Sequence, residues 1–336
     1  FWTGKLDVSF DWYNNTTQNL IVGRVPTGIE PQVFQPSINL GEMTNKGIDL
    51  SVSHRNQVGD FQYDITWIFS HYKNEVTDID GNPETFIGRG GDRIGEIART
   101  KSGQPISSWW GYEIDENDRF FDDQAELDAL DQPDAVVGAW KYVDQNGDGV
   151  IDGNDQTWLG NPHPDFVTSL NLDFRWRNFD LSFFMVWNKG GDLFNNVRYF
   201  TDWRVFVGGV SPRVLYDAWE PGADNSNATN PRLAPGAESG YTPFNSTSNS
   251  FYVEDGSFFR GRTLQFGYNF SPALISKAGI SNLRVYFQAQ NFFTITNYTG
   301  SDPDITIQGG SDLLMGHDNG RFPTMAQYLV GLNISL

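Results

Sequence analysis

The chain has 336 residues, with 23 Lys+Arg against 42 Asp+Glu, a formal charge of −19 and no cysteine. Such an acidic balance excludes the basic footprint of a nucleic-acid-binding protein, and the absence of thiols excludes a disulfide framework or a thiolate metal site. His54, His71, His163 and His317 show no zinc-like spacing, and no run of about 18 apolar residues marks a transmembrane helix. A transmembrane strand needs only about ten alternating residues, so a barrel stays open. The start at Phe1-Trp2-Thr3, without Met or signal peptide, suggests a processed chain or a fragment.

Period-two alternation marks the first strand at Lys5–Trp12, with Leu6, Val8, Phe10 and Trp12 opposite Asp7, Ser9 and Asp11. After a polar stretch at Asn14–Glu42, Ile48, Leu50 and Val52 alternate with Asp49, Ser51 and Ser53. Beyond a short turn at Arg55–Asp60, Phe61, Tyr63, Ile65, Trp67 and Phe69 share one face. A long connection from Lys73 to about Pro162 follows, with a short helix expected over Asp123–Leu130. Segments this long between strands are usually functional.

Strands resume at Phe166–Trp176 and Phe179–Trp187, joined by Arg177-Asn178. The next long connection, Asn188 to about Asp255, predicts a helix at Ser211–Trp219, with Pro212 in its first turn and Pro221 ending it. Thr263–Phe270 alternates again, Ser271–Ser281 is a shorter connection, and Leu283, Val285, Phe287 and Ala289 mark the next strand. A third polar loop, about Thr294–Pro323, precedes Tyr328, Val330, Leu332, Ile334 and Leu336.

About eight strands therefore carry a heavily aromatic and aliphatic face opposite a face of Ser, Thr, Asn, Gln and Asp. The fold class expected is all-β, an antiparallel transmembrane β-barrel with lipid outside and water inside. Trp12, Trp67, Trp176 and Trp187 near strand ends suit interfacial girdles; a soluble sandwich core is the competing reading. Short turns in bacterial barrels are periplasmic and long loops extracellular. Counting back from the last strand puts the loops at about 14–42, 73–162, 188–255 and 294–323 outside the cell, and every connection lands on the side that its length predicts.

Inside the longest loop, Asp144, Asn146 and Asp148 occupy positions one, three and five of a twelve-residue series. Gly149 takes the sharp turn at six, the Val150 carbonyl falls at seven, Asp152 at nine and Asp155 at twelve. This is the oxygen spacing of a calcium loop, so Ca2+ is the cofactor expected. Asp at position twelve, in place of the usual Glu, demands a tighter closure. An ion-free Asx-rich turn would use the same residue types.

Several stretches together resemble the C-terminal barrel portion of a SusC-like TonB-dependent outer-membrane transporter of Bacteroidetes. They are Asn45-Lys46-Gly47-Ile48-Asp49-Leu50; Gly103-Gln104-Pro105-Ile106 with Trp109-Trp110-Gly111-Tyr112; Asp144–Asp155 with Gly160-Asn161-Pro162; Tyr252–Arg260; and Tyr298-x-Gly300-x-Asp302-Pro303-Asp304. The resemblance implies that these strands belong to a larger barrel of about 22 strands, whose plug and TonB box are not visible here. It also implies active import of an oligosaccharide or oligopeptide, a SusD-like surface lipoprotein as partner, and TonB as energy source. Leu336 departs from the aromatic on which such chains usually end.

On that reading Trp109, Trp110, Tyr112, Trp140, Trp203 and Tyr241, with Trp158 and Trp219, are candidate ligand-binding aromatics; loop packing is their plainer role. Neither paired catalytic carboxylates nor a G-x-S-x-G elbow nor a P-loop is apparent, so no enzyme is expected. A passive porin or adhesin barrel and a secreted calcium-binding β-protein are the alternatives.

Overall fold

The computed structural model describes residues 4–23, 37–91, 93–202, 211–232, 247–305 and 312–336. The chain opens with three long strands, β1 (Leu6–Gly23), β2 (Ser37–Val58) and β3 (Phe61–Asp78). Four short ones follow: β4 (Phe86–Gly91), β5 (Gly95–Lys101), β6 (Ser108–Tyr112) and β7 (Gln156–Gly160). Next come β8 (Pro164–Trp176), β9 (Phe179–Gly190), β10 (Asp192–Asn195) and β11 (Val253–Asp255). The series ends with β12 (Phe258–Asn269), β13 (Asn282–Thr296), β14 (His317–Asp318) and β15 (Gln327–Ser335). Among the described residues four short α-helices punctuate it: α1 (Gln124–Ala129), α2 (Val197–Thr201), α3 (Arg213–Tyr216) and α4 (Pro272–Ile275).

The main sheet is antiparallel, in the order β1-β2-β3-β8-β9-β12-β13-β15. The eight expected strands are thus its eight members. Its register puts the alternating residues into rows. Phe10 pairs with Leu50, Leu50 with Phe69, Phe69 with Thr168, Thr168 with Trp187 and Trp187 with Phe259. These residues lie on one apolar face, left open in this chain: Trp12 is 68% exposed and Val330 80%.

Side chains on the polar face tie to one another across strands. Ser53 bonds Thr66 at 2.8 Å, Ser70 donates to Asp49 at 2.5 Å, and Arg284 pairs with Asp180 at 2.5 Å. Two large phenols lie flat on this face over glycines. A Cβ at Gly47 would overlap Tyr13, and one at Gly331 would overlap the Tyr286 ring. Glycine there lets an aromatic cover the backbone of the next strand.

Several boundaries differ from the sequence expectation; β3 continues to Asp78, past Lys73 where the loop is expected to begin, and β12 starts already at Phe258. The strands β1 and β2 run on to Gly23 and back to Ser37, well into the expected loop 14–42. Just beyond Trp12 the stretch Asn14–Gln18 is polar on both faces, and ladder pairing carries it on: Asn14 pairs with Lys46 and Thr16 with Thr44. The helix expected over Ser211–Trp219 is only Arg213–Tyr216. Beyond it the Asp217 carbonyl accepts the Thr229 and Asn230 amides at 2.9 Å, and Trp219 N–H donates to Asn230 at 2.8 Å. That bridge draws the chain out of the helix. At α1 the expectation holds, with Asp123 capping the Glu126 amide.

The described parts of the connections after β3, β9 and β13 gather at one end of the sheet into a packed plate. It contains a four-stranded sheet, β4-β5-β6-β7, and a three-stranded one, β11-β10-β14. Its core comprises Ile94, Ile97, Trp109, Trp140, Tyr142, Phe194, Trp219, Phe251 and Tyr252. The largest buried cluster of the described residues therefore sits in the loops, while the main sheet leaves its apolar side chains outward.

Candidate functional site

Within the plate, Asp144–Asp155 is shaped by its own amides. Gly147 and Gly149 take φ of 74° and 82°, which favour residues without a Cβ. Asp144 accepts the Gly147 N–H at 2.7 Å and the Gly149 N–H at 2.8 Å. These donors, Gly149 first, hold the Asp144 carboxyl below its ordinary value. Asn146 accepts from the Asp148 N–H, and Asp148 from the Val150 N–H, each at 2.9 Å.

Asp155 is fully buried and accepts the Gln145 N–H at 3.0 Å and the Asp152 N–H at 2.8 Å. With Asp152 it forms a reciprocal cap on the short 3-10 turn Gly153–Asp155. A bridge to Asp131 anchors the loop: Asp131 N–H donates to Gly149 at 3.0 Å, and Ile151 N–H returns to Asp131 at 2.9 Å. Among the described residues, no three His, Cys, Asp or Glu side chains converge to hold a metal. The oxygen donors and the turn suit a hard cation in chemical type, but the acids are held apart by Asx turns.

The aromatic candidates divide. Trp109 is fully buried; its Nε1–H donates to the Asp192 carbonyl at 2.8 Å, and its ring lies 5.5 Å from Phe194. Trp140 is buried against Phe251 at 4.6 Å. Both rings fill the plate core in this conformation, packed with Ile94, Ile97, Ile114 and Ile151. Tyr112 is half-buried and stacks on Tyr142 at 5.0 Å. Trp110 is half-buried, edge-on to Trp158 at 4.8 Å, with the Arg99 guanidinium 4.1 Å from its centroid. Trp219 belongs to the core. Trp203 and Tyr241 lie outside the described residues.

A cavity of about 550 Å³ opens where the plate meets the polar face of the sheet, lined by Val167, Val186, Phe258 and Met315 with Arg262 and Asp304. Another of about 670 Å³, lined by Asp118, Asp122, Trp219 and Asp224, lies within the plate. A third, about 630 Å³, sits near the short-turn end among Lys5, Arg55, Asp64 and Arg175.

Charged side chains not singled out from sequence hold the plate to the sheet. Arg260, buried in β12, pairs with Asp302 and lies 3.4 Å from Asp304, which Arg262 also meets at 2.5 Å. Burial raises the Asp302 carboxyl, but Arg260 and backbone donors outweigh it and hold the group low. Arg198 bonds Asp202 at 3.0 Å and reaches Glu254 at 3.5 Å, with its guanidinium 3.4 Å from the Phe251 centroid. Both partners of the Arg260 pair fall in the family-like segments, yet nothing in the spacing reveals that they meet. Burial pushes the Asp192 carboxyl up; the Asn161 N–H opposes this, and nearby Asp255 and Asp165 reinforce it.

Comparison with known proteins places this architecture. Residues 1–188 match the family described as TonB dependent receptor-like, beta-barrel. The chain is 30% identical over 346 residues to the TonB-dependent receptor P3 of Formosa agariphila, covering 98% of this chain and 32% of that protein. It is 24% identical to the TonB-dependent receptor SusC of Bacteroides thetaiotaomicron, covering 99% of this chain and 30% of the other. Among solved structures, that of the RagAB peptide transporter superposes with a TM-score of 0.74 at 21% identity, covering 98% of this chain and 33% of its own. The RagAB peptide importer in its open-open state gives 0.71 at 21% identity, with 100% and 33% covered. The chain thus spans about a third of the length of these relatives. It belongs to the TonB-dependent receptor-like β-barrel family.

Proposed function

We propose that this chain forms part of the barrel wall and outer plate of an energy-coupled importer in the outer membrane. The observation that carries the reading is the division of labour in the fold. One sheet face is apolar and open along its strands, the other is polar, and the described parts of the connections after β3, β9 and β13 pack at one end. Lipid suits the first face, an aqueous lumen the second. The packed end faces the cell exterior, and the turns at 59–60, 177–178 and 271–281 face the periplasm.

The cargo is a nutrient oligomer, an oligosaccharide or oligopeptide, and the chemistry is transport without bond making. A SusD-like lipoprotein covers the plate, and TonB acts through parts of the protein beyond this chain. Trp110, Tyr112 and Trp158, all half-buried, are the described candidate aromatics with surface left to offer a ligand or that partner.

Ca2+ would be held in the loop by Asp144, Asn146, Asp148, the Val150 carbonyl and Asp152, with Asp155 closing it. Each carboxylate oxygen that accepts one amide keeps a lone pair for such an ion. Bound there, calcium would supply positive charge that neutralises the clustered acids, and the loop would hold the plate in one shape.

The test is depletion of defined oligosaccharide and oligopeptide mixtures by cells with and without the full-length gene, followed by mass spectrometry. Deletion should stop depletion of one class, and an uncoupler should do the same. Equal depletion by both strains would refute import, and uncoupler-insensitive uptake would favour a passive pore.

A further inference from the structure

Across β2 and β3, Lys46 and Lys73 stand directly opposite one another. Like charges in that position repel. Both side chains are exposed, and among the described residues neither has an ion-pair partner within 4 Å. The chain carries 42 acids against 23 bases, so two facing lysines without a carboxylate are unexpected. Lys189, on the same face near the same end, has Asp255 at 3.9 Å. Glu75, two residues beyond Lys73, makes no such contact.

The side of the sheet is fixed by register. Tyr13 lies over Gly47 on the polar face, and Gly47 pairs with Tyr13 and Tyr72. The neighbours of these residues, Asn14, Lys46 and Lys73, therefore project from the apolar face. On that face Val58, Asn56, His54, Val52, Leu50 and Ile48 follow one another up β2, and the mainly apolar row Phe61, Tyr63, Ile65, Trp67 and Phe69 runs beside them on β3. From Val58 to Ile48 the strand rises about 33 Å at about 3.3 Å per residue, or roughly 25 Å of height at a tilt of about 40°. This is the depth of the apolar band of an outer-membrane barrel. Trp12 pairs with Ile48 at its upper edge, and Lys46 and Lys73 come one step beyond.

We propose that Lys46 and Lys73 form a binding site for the phosphate headgroup of an anionic lipid in the outer leaflet. Its acyl chains lie along Trp12, Phe10 and Leu50, and its phosphate sits between the two ammonium groups and relieves their repulsion. Charge complementarity and continuity with the apolar band select a lipid over a soluble anion. The site rests on the membrane orientation proposed above, but lipid binding in a disc is measured without reference to it.

The experiment uses the full-length protein in nanodiscs of phosphatidylcholine. These are doped with bis-phosphorylated lipid A or with the same lipid stripped of phosphate, and retained lipid is counted by native mass spectrometry. The wild type should retain the phosphorylated form about 25-fold better, since each of the two basic residues near a membrane surface adds roughly fivefold. Lys46→Gln with Lys73→Gln should abolish that preference, while Lys46→Arg with Lys73→Arg should keep it. Equal retention of the two lipids by the wild type would overturn the proposal, as would an undiminished preference in the Gln variant. Displacement of lipid A by millimolar inorganic phosphate would also overturn it, marking a simple anion site. A wild type that keeps the lipid preference but gives no more depletion than the deletion strain would count against the import reading alone.

Discussion

The indole of Trp109 donates to the backbone carbonyl of Asp192 at 2.8 Å, joining β6 to β10 and so the two small sheets of the plate. One fully buried side chain thus stitches loop segments far apart in sequence. The prediction is that Trp109→Ala costs about 3–5 kcal/mol of plate stability through the cavity it leaves. Trp109→Phe, keeping most of the volume, should cost less, about 1–3 kcal/mol including the unsatisfied carbonyl. Hydrogen exchange should show faster opening of residues 94–142 while the strands of the main sheet stay protected.

Strand faces were readable from sequence because a buried or lipid-facing side imposes strict alternation. Phe10, Leu50, Phe69 and Trp187 share the apolar face expected of them. The plate was not readable. Its strands are four to seven residues long or shorter, rich in Gly as in Phe86–Gly91, and held by partners distant in sequence such as Trp109 with Gly160. Trp109 and Trp140 resembled ligand platforms because an aromatic in a loop carries no mark of whether that loop packs. The calcium spacing was readable as spacing, but the capping role of buried Asp155 came only from its two amide donors.

Calcium supplies a second prediction. Added Ca2+ should protect the 144–155 segment of the full-length protein from proteolysis and raise its melting temperature by several degrees. Chelation should reverse this, and Asp144→Ala with Asp148→Ala should remove the response. A wild type indifferent to calcium would leave the loop as an amide-stabilised turn.

The pair between Arg260 and Asp302 ties the β12 strand to the 297–305 segment. Because Arg260 is 2% exposed, Asp302→Ala leaves a nearly buried guanidinium with Asp304 and Thr294 as its hydrogen-bonding side chains among the described residues and the Phe258 ring beside it. A loss of about 3 kcal/mol is expected, at the lower end for a broken buried pair. Thermal denaturation would read it, and Arg260→Met with Asp302→Leu should recover part of the loss.

His163 gives a pH dependence. Its Nε2 meets the Ile106 carbonyl at 3.0 Å, and its Nδ1 lies 3.1 Å from the Tyr72 hydroxyl. The neutral ring satisfies both, with Nε2–H donating and Nδ1 accepting. Burial lowers its pKa from 6.5, against a smaller upward pull from Ile106. A lowered folded-state value means that the neutral ring's contribution is fully present above 6.5 and is lost as pH falls through the folded value. Melting temperature should therefore fall on mild acidification, with a shallower slope in His163→Gln.

The central claim, that the sheet spans a membrane with its plate outside, is tested most directly by cysteine labelling. The chain has no native cysteine. Single substitutions Ser226→Cys in the plate and Asn178→Cys in a short turn would be made in the full-length protein, cleared of any other thiol. Intact cells would then be treated with a membrane-impermeant maleimide. The account predicts labelling of Ser226→Cys in intact cells and of Asn178→Cys only after the outer membrane is opened. Labelling of Asn178→Cys in intact cells, with Ser226→Cys protected, would contradict it.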